Sequence, residues 1–252
     1  MLAKQERYAQ LVADVKNAYP AFSPEHRDGP LELFRYDDCE EVNLWTYWQG
    51  RGKLDAKVML VGQDWGSPWD DSAVETMKQV SLANQHLPYD YLHDNPSLTD
   101  KYLIELFKEI NYEVRYPCDG VFFTNFVLGY RNKGLSGGYQ NVWAVHDKGY
   151  FRELVSILEP KVILCLGRAT FAAVLSSFDV HLSPGIGRYN QFIESNRNPV
   201  SATLEDGQEI HIFALAHCGA LGTLNRNRGK DKPEDILTYQ KQDWRKILPY
   251  IK

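Results

Sequence analysis

Four short apolar runs recur along this chain: Lys57-Val58-Met59-Leu60-Val61-Gly62, Gly120-Val121-Phe122-Phe123-Thr124-Asn125, Lys161-Val162-Ile163-Leu164-Cys165-Leu166 and Glu209-Ile210-His211-Ile212-Phe213-Ala214-Leu215. None is long enough for a membrane span, and their continuous hydrophobicity is the mark of strands buried on both faces. Between them, apolar positions fall three and four apart, as on the inner face of a helix. Strands alternating with helices predict a parallel sheet covered on both sides. The expected fold is therefore α/β: a three-layer α/β/α sandwich around a central four-stranded parallel sheet. No repeat and no linker interrupts residues 1–252, which read as a single domain.

Helical spacing is clearest at 4–17 (Tyr8, Leu11, Val12, Val15) and 98–110 (Tyr102, Leu103, Leu106, Phe107, Ile110). Further helices are expected over 147–158, 168–178 and from Pro233 to about 248, proline being favoured in a first turn. Residues 23–41 are polar and acidic and read as an irregular excursion. Residues 67–96 are too long for an ordinary connection and are either a functional loop or contain a short helix. Residues 131–139 form a glycine-rich loop, 183–206 read as loops with room for a short hairpin, and 224–232 as an Asn/Arg-rich loop.

The strand ends carry the candidate chemistry. Open α/β sheets bind ligands outside the carboxyl ends of their strands. Here those ends are Gln63-Asp64, Asn125, Gly167 and His217. If the strands are parallel, a carboxylate (Asp64), an amide (Asn125) and an imidazole (His217) converge on one crevice. Asp64 could equally cap the turn that follows, Asn125 could bridge turn backbone, and His217 could be a structural hydrogen-bonder.

Composition narrows the setting. The formal net charge of -5 argues against an extended basic surface but allows a local basic groove. Six Trp and fifteen Tyr exceed what a core of this size requires and are compatible with stacking on bases or sugars, although most will be packed. The four cysteines, Cys39, Cys118, Cys165 and Cys218, show no C-x-x-C spacing, so neither a metal site nor a disulfide framework is indicated. Cys165 reads as a buried thiol. Without a signal-like or membrane-spanning segment, the expected location is cytoplasmic.

Four of these places, taken together, resemble the uracil-DNA glycosylase superfamily. Gly62-Gln63-Asp64 is similar to the opening of its first motif. Thr124-Asn125 is similar to its uracil-reading asparagine, and Leu166-Gly167-Arg168-Ala169 to its strand-to-helix turn. Ala216-His217 with a downstream Arg226 is similar to its last motif. The first motif continues here as Trp65-Gly66 rather than Pro-Tyr or Pro-Gly, and the last as Cys218-Gly219-Ala220 rather than Pro-Ser-Pro. The iron–sulfur cysteines of one branch are absent.

The resemblance implies a glycosylase that hydrolyses the N-glycosidic bond of uracil or a related base in DNA during repair. It implies no metal and no cofactor. The expected partner is DNA with a flipped base, the protein acting as a monomer away from membranes. Asp64 would activate water and His217 would stabilise the departing base. Gln63, Trp65, Gly66 and Asn125 would hold the base. Trp65, Trp69 or Phe126 would stack on it. Arg131, Lys133, Arg226 and Arg228 would contact phosphates, and Leu221 (or Leu224) would fill the vacated stack. Gly66 stands where the strictest uracil enzymes have a tyrosine, so a wider range of pyrimidines is admitted unless Trp65 fills the space. Two other classes remain open: a catalytically degenerate member that binds nucleic acid or protein, and an unrelated hydrolase or nucleotide-binding enzyme. Against the last, no Gly-rich phosphate loop follows the first strand.

Overall fold

The computed structural model describes residues 3–18, 31–32, 54–63, 98–114, 120–127, 130–131 and 141–252. Its strands are β1 (Leu31–Glu32), β2 (Val58–Gly62), β3 (Val121–Asn125), β4 (Tyr130–Arg131), β5 (Val162–Leu166), β6 (Val200–Thr203) and β7 (Glu209–Leu215). Its helices are α1 (Lys4–Ala18), α2 (Leu98–Lys108), α3 (Asn141–Leu158), α4 (Arg168–Ser177), α5 (Tyr189–Glu194), α6 (Ala220–Asn227), α7 (Thr238–Arg245) and α8 (Leu248–Ile251).

The central sheet runs β3-β2-β5-β7-β6, while β1 and β4 pair separately and antiparallel. The four strands expected from the apolar runs are mutually parallel, with Val58 opposite both Val121 and Val162, and Val162 opposite His211. The sheet nevertheless has five strands, because β6 adds an antiparallel edge against β7. β6 reads Val-Ser-Ala-Thr and buries only Ala202 fully. An edge strand covered on one face lacks the continuous apolar run that marks the inner strands.

Both faces are covered. Met59, Val61, Phe122, Ile163, Cys165, Ile212 and Ala214 pack with apolar side chains of α1, α3, α4 and α5. Val58, Leu60, Val121, Phe123, Leu164, Phe213 and Leu215 pack with α2, α7 and α8. This division follows from the period-two alternation of strand side chains, and it makes three layers. The chain leaves β2 for β3 on one side and later reaches β5 and β7 on the other, so its direction reverses between β2 and β5. In a doubly wound sheet that reversal opens a crevice at the strand C-termini.

Several expected boundaries move. α3 begins at Asn141, well before residue 147. Val145, at the start of its second turn, is 75% exposed, which weakens the apolar pattern there. The last helix does not start at Pro233. Asp235 accepts the Leu237 N–H at 2.9 Å, and its carbonyl accepts Thr238 N–H and Oγ1–H, so α7 starts at Thr238. A break precedes α8, where Pro249 has no N–H to continue the ladder. Buried Asn198 stitches residues 183–206 to the sheet. Its Nδ2 donates to the Ile193 and Ala214 carbonyls at 3.2 and 3.0 Å, and its Oδ1 accepts the Ala214 N–H at 2.9 Å. No described helix is long and apolar enough to cross a membrane.

Candidate active site

Parallel register brings the strand ends level. Gly62 of β2 lies opposite Asn125 of β3, and Leu166 of β5 opposite Leu215 of β7. The ladder continues past the strands: Phe126 N–H donates to the Gly62 carbonyl and Val127 N–H to the Gln63 carbonyl, both at 3.0 Å. At the other pair, Gly167 N–H donates to the Leu215 carbonyl at 2.8 Å. Gln63, Asn125, Gly167 and His217 therefore share one edge. Neighbouring strands lie about 4.8 Å apart, so the ends of β3 and β7 are separated by about 14 Å.

Asn125 has an unusual seat. A Cβ on residue 62 would lie 2.1 Å from its Oδ1 and 3.3 Å from its Cγ. The amide thus lies over the bare Cα of Gly62 and leans toward β2. Its side-chain oxygen and nitrogen make no hydrogen bond within the described structure. The residue is half-buried. An amide braced by packing but unused by the described residues can take a ligand, and it offers both a donor and an acceptor.

His217 is fixed from its backbone side. Its Nδ1 accepts the Gly219 N–H at 2.9 Å. A nitrogen that accepts carries no proton, so the neutral ring holds its hydrogen on Nε2. Burial by the surrounding protein lowers the His217 pKa, although the ring keeps an open side to solvent. The first turn of α6 presses on it: a Cβ at Gly222 would stand 2.1 Å from the His217 carbonyl oxygen, so only glycine fits. Gln240 of α7 anchors the same loop, donating from Nε2 to the Ala216 and His217 carbonyls at 3.4 and 3.3 Å and accepting Thr223 Oγ1–H at 2.8 Å.

Helix α6 occupies residues expected partly as a loop. It is inside out: Thr223 and Arg226 are buried, while Leu221 and Leu224 are 77% and 57% exposed. An apolar-in periodicity search does not register such a helix. Arg226 corrects its expected role as a phosphate contact. It is 2% exposed, and its Nε and Nη2 grip both oxygens of buried Asp243 at 2.6 and 2.9 Å while Nη1 reaches Glu194 at 2.8 Å. Burial opposes its charge, but the bonds to Asp243 and Glu194 outweigh that and raise its pKa. Lys230 also binds Glu194, and with Arg226 it holds that carboxyl below the usual range. Arg228 is exposed at the C-terminal end of α6.

Phe126 does not serve as the stacking ring. It is 1% exposed and packs against Phe151, with ring centroids 4.8 Å apart. Cys165 is fully buried, which pushes its thiol pKa well up. Asp64, Trp65, Gly66, Trp69 and Lys133 lie outside the described residues, and of Arg131 only the backbone pairing with Leu31 is described. Among the described residues no group of three or more His, Cys, Asp or Glu could hold a metal. Sequence reading missed Gln240 and Gly222. A buried glutamine and a glycine inside a helix give no signal until their partners are known. No protein-family model matches the chain, and no curated protein matches it significantly.

Three outcomes follow from this geometry. Gly62→Ala pushes the Asn125 amide off its seat while the fold survives, because the displaced atoms are a side-chain tip. Circular dichroism melting should move little, while the Asn125 side-chain amide NMR signals should shift. Arg226→Met leaves Asp243 buried without its partner and should cost about 3–5 kcal/mol by denaturant unfolding. For His217, a ¹⁵N-edited imidazole spectrum should show the Nε2–H tautomer at neutral pH and titration below the ordinary value of about 6.5. Because the folded pKa is depressed, the associated stability is complete above about pH 6.5 and is lost as pH falls through the folded pKa.

Proposed function

We propose that the protein is a DNA glycosylase that hydrolyses the N-glycosidic bond of uracil or a related pyrimidine in DNA. The observation that carries this reading is the Asn125 amide, braced over Gly62 at the carboxyl edge of the sheet with no hydrogen-bond partner among the described residues. A flipped pyrimidine presents a donor next to an acceptor on its Watson–Crick edge, the complement of one amide. The resemblance of the Gly62-Gln63-Asp64, Thr124-Asn125 and Ala216-His217 segments to the uracil-DNA glycosylase superfamily supports the same reading.

Cleavage breaks the bond between the sugar C1′ and the base nitrogen. Positive charge grows on the deoxyribose, and the base leaves with the electron pair. Asp64, directly after Gln63, would remain ionised, orient a water toward C1′ and take up its proton. The Nε2–H of neutral His217 would donate to the base carbonyl that gains charge, worth most in a site that excludes water. A histidine whose pKa is lowered does this without first gaining a proton. Gln63, Trp65 and Gly66 would line the base pocket from the β2 side. The exposed Leu221, set one helical turn beyond His217 on a helix that buries its polar residues instead, suits insertion into the stack vacated by the base. Arg131, Lys133 and Arg228 would contribute phosphate contacts.

The test is base release from labelled oligonucleotides carrying uracil, 5-substituted uracils or mismatched thymine, in single and double strands. Wild-type release is expected. Asp64→Asn should lower it by about 10²–10⁴-fold while DNA binding persists, and His217→Gln should reduce kcat more than affinity. Binding without release from any substrate would favour a non-catalytic nucleic-acid-binding protein. Absence of both binding and release would sink the proposal.

A further inference from the structure

Resting on the glycosylase reading, we infer that Arg188 and Arg228 form a phosphate clamp that grips the substrate strand beyond the far end of α6 from the His217 loop. The two arginines lie on different elements: Arg188 precedes α5, and Arg228 follows α6. The Asn190 Nδ2 donates to the Asn225 carbonyl at 2.8 Å, tying the start of one helix to the end of the other. Both arginines are exposed, and neither side chain makes an ion pair or hydrogen bond within the described structure.

The loop that carries Arg188 is held in place by cations of its own. Arg168, at the start of α4 on the crevice edge, donates to the Gly187 carbonyl at 2.7 Å. Arg197 donates to the Gly185 carbonyl at 3.4 Å and lies over the Phe192 ring at 5.2 Å. The one carboxylate nearby on α5, Glu194, is already matched by Arg226 and Lys230. Toward solvent, Arg188 and Arg228 keep their charges without an ion-pair partner among the described residues.

α6 has eight residues, about 12 Å at 1.5 Å each, and leads from the His217 loop and Leu221 to Arg228. The clamp therefore stands about one helix length from the loop that carries His217.

The experiment compares the wild-type chain with Arg188→Gln/Arg228→Gln and with Lys148→Gln/Arg152→Gln. The last pair removes the same charge from α3, where those cations pair with Asp179 and Glu205. Fluorescence anisotropy measures affinity for a uracil-containing 21-mer between 50 and 200 mM salt. Losing two phosphate contacts should make the salt slope shallower by about 1.4–1.8 and weaken binding roughly tenfold or more at the low-salt end. The α3 variant should match wild type in both affinity and salt slope. Equal weakening by both double variants would reduce the effect to net charge and overturn the clamp. Wild-type DNA binding with an unchanged slope in the Arg188/Arg228 variant would overturn it while leaving the glycosylase reading intact. Tighter binding of polyglutamate than of DNA, lost in that variant, would overturn it in favour of an acidic protein partner. Absence of wild-type binding and release would remove the reading on which it rests.

Discussion

Parallel register is the constraint on which everything at the sheet edge depends. Hydrogen bonding locks Gly62 opposite Asn125 and Leu166 opposite Leu215, and it carries on to Gln63 and Gly167. A slip of one residue in β3 would move Asn125 to the face that holds Met59 and Val61 of β2, burying a polar group there. The apolar side chains that fill both faces forbid that slip. The core thus does more than stabilise the chain, because it determines which polar group stands at the crevice.

Past the end of β7 a second, polar mode of packing takes over. The His217 loop and α6 are held by Gln240, by Asp243 through Arg226, and by the close contact between Gly222 and the His217 carbonyl. A buried ion pair gains little net stability over an apolar contact, since desolvation offsets most of the attraction. What it supplies here is orientation. It fixes α6 without spending leucines on the interior, and Leu221 and Leu224 remain outside.

The parallel core strands were legible because their apolar runs require burial on both faces. Asn125 and His217 were legible because they end such runs. The edge strand β6 escaped recognition as a separate element, since only one of its faces is covered. Helix α6 escaped because its inward residues are Thr223 and Arg226, which a hydrophobic pattern reads as surface. The same inversion made Arg226 look like a cation for phosphate when its charge is met by Asp243 and Glu194. Sequence order reveals where a charge falls along the chain. The partner that neutralises it is set by tertiary packing.

The seat of Asn125 ties two distant positions into one unit of inheritance. Residues 62 and 125 are far apart in the chain, yet the amide occupies the volume that any side chain at 62 would take. Drift at one position is therefore conditional on the other. A lineage that abandons asparagine at 125 frees position 62 to diversify, while one that keeps it holds glycine at 62 under purifying selection.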